Sequence, residues 1–211
     1  MKNGIYIIIL LIAVGCKSGS EETNTTPSPR TPEANQKEIK GPGIENETVE
    51  KAAEKVITLL KEKNFAALAS YVHKERGVRF SPFQFIDTKL DRIIKHDAVS
   101  GLFSDKSSYI WGMGAGSGEP IKMNFESYFK QYVWDLDFTK APKKSMNKSS
   151  IGGSMTNNLR EIYPTASFME YYYDRVSEKY DGMDWRGLTL VFEKTTTGWF
   201  LTGIIHSQWT P

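Results

Sequence analysis

Cysteine is almost missing from this chain: Cys16 is the only one among 211 residues, so no disulfide can form within it. Stability must come from an apolar core rather than from cross-links. Histidine is scarce as well, with only His73, His96 and His206. No two of them stand at helical ligand spacing and no cysteine accompanies them, so no metal is expected. An excess of one charge is also lacking, since the formal net charge is +2. Lysine and glutamate alternate through Lys51, Glu54, Lys55, Lys61 and Glu62, the pattern of a solvated helix face. Nucleic-acid binders carry a basic stripe, so no nucleic-acid partner is expected. No apolar run reaches the roughly 20 residues that span a bilayer.

The one uninterrupted apolar run, from Ile5 to Ala13, follows Lys2 and ends in Ile12-Ala13-Val14-Gly15-Cys16. A charged start, a short apolar middle and small residues before a cleavage point make a secretory signal. The segment resembles a bacterial lipoprotein signal, with Ala13 where leucine is usual. That resemblance implies cleavage before Cys16, acylation of Cys16 (palmitate or a related chain), and attachment to a bacterial membrane. The domain would then lie in the cell envelope, outside the cytoplasm. Acylation would also remove the liability of a lone thiol in an exported protein. Residues 17–44 are rich in Ser, Thr, Pro, Glu and Asn, with Thr25-Thr26-Pro27-Ser28-Pro29 and Gly41-Pro42-Gly43. Such composition cannot build a core and predicts a disordered tether. About 28 flexible residues give a root-mean-square reach of roughly 30 Å. The expected organisation is a signal peptide over 1–15, lipidated Cys16 with its tether over 16–46, and one domain over 47–211.

Within that domain Thr48 can cap a helix carrying Ala52, Ala53, Val56, Leu59 and Leu60 on one face. Asn64 interrupts it, and Phe65, Leu68, Ala69 and Val72 mark a shorter second helix. Val78 and Phe80 alternate with Arg79 and Ser81 up to Pro82, which reads as a short strand stopped by proline. Asp97 to Phe103 suits a helical turn or two, and Tyr109-Ile110-Trp111 a strand. The Gly112 to Gly118 loop and a strand near Ile121 complete a hairpin. Asn124 can cap a helix with Phe125, Tyr128, Phe129, Tyr132 and Val133 on one face, and Asp135 to Asn158 reads as irregular. Strands are expected over Ala166–Tyr173, Gly187–Glu193 and Trp199–His206, the last two joined by Thr195-Thr196-Thr197-Gly198.

Helices first, one helix in the middle and a closing antiparallel meander predict an α+β domain, a curved antiparallel sheet wrapped around helices. This order resembles the nuclear-transport-factor-like cone fold, shared by ketosteroid-isomerase-like enzymes and noncatalytic accessory domains. Three local strings resemble a group of uncharacterised bacterial surface lipoproteins. They are Tyr71-Val72-His73 with Gly77 through Pro82, Trp111-Gly112 with Gly116 through Ile121, and Gly182-Met183-Asp184-Trp185-Arg186. The ending Gly203 through Thr210 belongs to the same likeness. Lys74 stands where the group has proline, and Ala115 where it has aspartate.

No complete catalytic motif stands out. Gly112 to Gly118 lacks the Gly-Lys-Ser/Thr ending of a nucleotide loop, and Ser117 lacks the setting of a nucleophile elbow. Asp135 with Asp137, and Asp181 with Asp184, lack the spacing of a calcium loop and read as turn residues. No cofactor is expected. The catalytic candidates are Asp184, Arg186 and His206, at the ends of neighbouring strands. A carboxylate or imidazole held there in an apolar setting could serve as general base. The plainer reading, which we favour, has Asp184 capping a turn, Arg186 pairing with a carboxylate and the tryptophans filling the core. Tyr171, Tyr173, Trp185 and Trp209 are binding candidates for a protein, peptide or glycan, because exposed Tyr and Trp anchor recognition surfaces. The expectation is a membrane-anchored, noncatalytic binding or accessory domain. Its rivals are a cone-pocket isomerase or hydrolase with Asp184 or His206 as base, and a structural envelope component.

Overall fold

The computed structural model describes residues 47–151 and 156–210. Cys16, the signal and the tether lie outside the described residues. Thr48 Oγ1 accepts from Lys51 N at 3.4 Å and starts α1 (Val49–Lys61), which buries Ala52, Ala53, Val56, Ile57 and Leu60. Asn64 Oδ1 accepts from Ala67 N at 3.1 Å and starts α2 (Phe65–Leu68), followed by a 3-10 turn over Ala69–Tyr71. These side chains take up amides that the first turn of a helix leaves unpaired. After β1 (Val78–Ser81) and the three-residue β2 (Arg92–Ile94) comes α3 (His96–Val99). The expected hairpin is β3 (Tyr109–Met113) with β4 (Pro120–Met123). Asn124 caps α4 (Phe125–Tyr132), accepting from Ser127 N at 3.0 Å.

The segment expected to be irregular after Asp135 contains β5 (Lys143–Met146) and α5 (Leu159–Ile162). Then come β6 (Ser167–Tyr173), β7 (Arg186–Thr195) and β8 (Gly198–Gln208). Six strands form one curved sheet in the order β2-β1-β8-β7-β6-β5. Four of the five pairings are antiparallel; β1 runs parallel to β8, pairing Phe80 with Ile204. The sheet is therefore mixed where an antiparallel one was expected. The helical segment before β1 ends beside β8, where His73 N donates to Leu201 O at 3.0 Å, and delivers β1 along β8. An extra residue on β8, Thr202, interrupts the register against Val191 and Phe192. Such a bulge increases local bend and twist.

The two sheet faces differ. Tyr171, Leu188, Leu190, Phe192 and Ile204 share a core cluster with α1, α2 and α4. Phe65, Phe80, Phe103, Trp111, Phe125, Tyr128 and Phe129 fill its centre, with ring centroids 4.3–6.0 Å apart in edge-on, tilted and stacked pairs. Each buried ring stabilises the fold by about 1.5–3 kcal/mol through burial, and good ring pairs add about 0.5–1.5 kcal/mol. On the other face Phe168, Val191 and Ile205 pack with Ile86, Leu159 and Tyr163. Asn158 fastens this cover by accepting from Ile86 N at 2.8 Å and donating to Ile86 O at 3.0 Å. Covering both faces leaves β1 buried at all four positions, although its sequence alternates.

Candidate functional site

Strand pairing brings two of the three catalytic candidates together. Arg186 opens β7 opposite Gln208, and His206 lies two residues earlier on β8, opposite Leu188. Between them stands Asp135, just beyond α4. Its Oδ2 accepts from Arg186 Nε at 2.8 Å, and its Oδ1 lies 3.2 Å from His206 Nε2. The second contact is close enough for charge pairing but lacks the alignment of a hydrogen bond. Burial alone would push the Asp135 carboxyl up, yet His206 and Arg186 outweigh it and hold the group below the usual carboxylate range. Arg186 Nη1 also donates to the carbonyls of Asp184 at 3.2 Å and Trp185 at 3.0 Å.

His206 is 0 % exposed. Its Nδ1 faces the Pro82 carbonyl at 3.3 Å, and the Tyr132 ring stands edge-on at 6.0 Å. With one ring nitrogen against a carbonyl and the other against a carboxylate, the imidazole offers no open lone pair to a substrate. A general base must reach the proton it removes. Asp184 is separate from this trio. Its two oxygens accept from Val176 N at 3.1 Å and Ser177 N at 2.7 Å, tying down the loop before β7. Asp181, left-handed at φ +49°, and Gly182, at φ +81°, turn that loop. The plainer readings of Asp184 and Arg186 describe these contacts well.

The four aromatic candidates part company. Tyr171 is 2 % exposed and faces the helices, so it is core rather than an outward anchor. Burial raises its hydroxyl pKa far beyond the usual tyrosine value. Trp185 is buried too, its ring 6.2 Å from that of Tyr172. Tyr173 is half-buried and donates its hydroxyl to Asp137 O at 2.8 Å. Trp209 remains, 39 % exposed, with its amide 3.4 Å from Trp185 O. Val176, Tyr180 and Met183, on the loop that Asp184 holds, are exposed as well.

Two further carboxylates matter. The sequence around Asp135 marks it only as a turn residue; its place beside Arg186 and His206 comes from tertiary packing. Asp91 immediately precedes β2 and is 8 % exposed. Its Oδ2 accepts from Ser81 Oγ at 2.5 Å and from Asp87 N at 3.0 Å. Burial pushes the carboxyl up to about 7, against the lowering effect of those two bonds and Arg79, while the Asp87 charge adds to the rise. Asp91 lines a cleft of about 250 Å³ with Pro82, Phe83, Phe85, Met113 and Ala115. Among the described residues no group of three His, Cys, Asp or Glu could hold a metal ion, and no helix is long and apolar enough to cross a membrane.

No protein-family model and no curated protein matches the chain. Among solved structures it is similar to a DUF4783 family protein from Bacteroides ovatus, at 12 % identity and TM-score 0.30, over 80 % of this chain and all of the other. It is also similar to an NTF2-like designed protein, Rd1NTF2_05 carrying substitutions, at 13 % identity and TM-score 0.27, over 75 % of this chain and 99 % of the other. Scores at this level carry no argument about function, and the α+β cone-like description stands on the strands and helices themselves.

Proposed function

We propose that this chain is a lipid-anchored bacterial envelope protein whose domain binds or assists a partner without catalysing a reaction. The filled interior carries this reading. The space beneath the sheet, where a cone-pocket enzyme would hold substrate, is occupied by Phe80, Trp111, Phe125 and Tyr128, all fully buried. The base candidates are also withdrawn or engaged: His206 is fully buried between Asp135 and the Pro82 carbonyl, and Asp184 accepts from two backbone amides. Trp209 and, on the loop before β7, Val176, Tyr180 and Met183 are exposed apolar side chains suited to contact with a protein, peptide or glycan. Anchoring rests on the sequence before and after Cys16.

Labelling with a fatty-acid analogue in wild type and Cys16→Ala tests the anchor. Label should appear in wild type alone, and equal labelling overturns the anchor. A turnover that disappears in His206→Ala or Asp184→Ala while the fold persists overturns the noncatalytic reading and installs the isomerase or hydrolase in its place.

A further inference from the structure

The loop over residues 82–91 and the β3–β4 hairpin face each other across the cleft that Asp91 lines. Gly112 lets them approach. At φ +141° it adopts backbone that other residues rarely take, and a Cβ there would stand 2.9 Å from Pro82 Cγ and 3.3 Å from Asp91 Oδ1. The two carboxylate oxygens of Asp91 have different surroundings. Oδ2 is saturated by Ser81 and Asp87, whereas Oδ1 accepts no hydrogen bond from any described residue. No described Lys, Arg or His nitrogen lies within 4.0 Å of that carboxylate either. Arg79, the nearest cationic influence, spends Nη1 on the Asp91 backbone carbonyl at 3.3 Å. Oδ1 is also not among the buried polar atoms sealed without a partner, so a donor that enters the cleft can reach it.

We propose that this cleft is a binding site for a small organic cation, a primary ammonium carried on an apolar body. The ammonium donates to Asp91 Oδ1, and the body lies against Phe83, Phe85 and Met113. The walls select this class. Apart from the carboxylates of Asp91 and Asp87 they are apolar, so they offer too few oxygens for a metal ion and repel an anion. Asp87 Oδ1 accepts from the amides of Lys89 and Leu90, and its second oxygen adds negative charge at the rim, while the more deeply buried Asp91 orients the ammonium. Phenylalanine faces attract cations through their negative π-surface. The volume exceeds the roughly 150 Å³ in which a buried site accommodates benzene. The cleft shares no lining residue with Trp209 or the loop before β7 and does not depend on the lipid anchor.

Charge at the site follows from Asp91 itself. Arg79 on β1, Asp87 on the loop and Tyr128 on α4 are the charged or titratable groups that act on it. With the Asp91 carboxyl titrating near 7, most molecules carry the anion at pH 8 and few at pH 6. An alkylammonium keeps its proton throughout this range, because its pKa resembles the ~10.4 of lysine.

The test is a titration of the full chain with phenethylammonium chloride, followed by amide chemical shifts, beside neutral 2-phenylethanol and anionic phenylacetate. Saturable shifts should centre on Phe83, Asp91, Met113 and Ala115. Binding should weaken about tenfold from pH 8 to pH 6, and at least about tenfold with 2-phenylethanol or in Asp91→Asn. If Asp91→Asn does not fold, Ala115→Phe replaces it. That variant fills the cleft from the hairpin side, should melt as wild type does, and should abolish the shifts. Equal binding of the neutral compound, unchanged binding in either folded variant, shifts centred elsewhere, or no saturable shift each overturns the proposal.

Discussion

Asp135 and Asp91 are carboxylates in the same domain, both largely withdrawn from water, and their pKa values move in opposite directions. Asp135 stands between Arg186 and His206, so the charged form is held and the strand ends are locked. Asp91 has hydroxyl and amide donors on one oxygen and no close cation, so burial dominates and the neutral form gains. Burial alone therefore does not decide the state of a carboxylate; the groups within about 4 Å do. Both stand at the same end of the sheet, where Pro82, just after β1, faces His206 and lines the cleft beside Asp91. The cluster around Asp135 is closed on its own charges, whereas Asp91 leaves a charge waiting for a partner.

Breaking the closed cluster around Asp135 should cost most. Asp135→Asn leaves Arg186 and His206 partly withdrawn from water without their anion, and urea unfolding at pH 7 should show a loss of about 3 kcal/mol. Arg186→Gln combined with it should cost less than the two single losses together, because both remove the same pair.

Asp91 should respond with the opposite sign. Asp91→Asn can keep its amide oxygen where Oδ2 accepts from Ser81 and Asp87, and turn its nitrogen toward the cleft. Because the folded pKa of Asp91 lies above the unfolded value, its contribution is fully present at low pH and is lost as pH rises from about 4 through about 7. Asp91→Asn removes that loss, so its stability relative to wild type should rise by about 2 kcal/mol between pH 5 and pH 8. Asp135 works the other way: its folded pKa is lowered, so its stabilisation is present above the ordinary carboxylate range and is lost as pH falls through the folded value. Wild type should thus weaken toward acid through Asp135 and toward neutrality through Asp91.

Ser81→Ala should cost about 1 kcal/mol, since it removes one hydrogen bond to a partly ionised acceptor, and it should raise the Asp91 pKa further. Trp209→Ala touches neither carboxylate and should change stability by less than about 0.5 kcal/mol.

The sequence was informative where the signal is local. Thr48, Asn64 and Asn124 announce their helices because a cap needs only a side-chain oxygen and amides two or three residues on. The β7–β8 turn is equally legible. Lys143-Lys144-Ser145-Met146 has no apolar alternation, because an edge strand buries little, and so β5 was not foreseen. Nor was the parallel pairing of β1 with β8, which depends on where the helical segment before β1 delivers the chain. The site shows the same division. Arg186 and His206 were visible as candidates, but their shared partner Asp135 meets them only in the folded chain. Tyr171 looked like an outward residue of an aromatic strand, yet helices cover the face it occupies. Asp91, between Leu90 and Arg92, looks like an ordinary surface charge until Pro82 and Gly112 close over it.

The contrast between a paired and an unpaired carboxylate is tested most directly by carboxyl-carbon NMR titration of Asp91 and Asp135, with and without phenethylammonium. The account predicts a midpoint for Asp91 near 7 that falls when the cation is present, and one for Asp135 below the usual carboxylate range that does not move. Ordinary midpoints for both groups, or a cation that shifts Asp135 and leaves Asp91 unchanged, would contradict it.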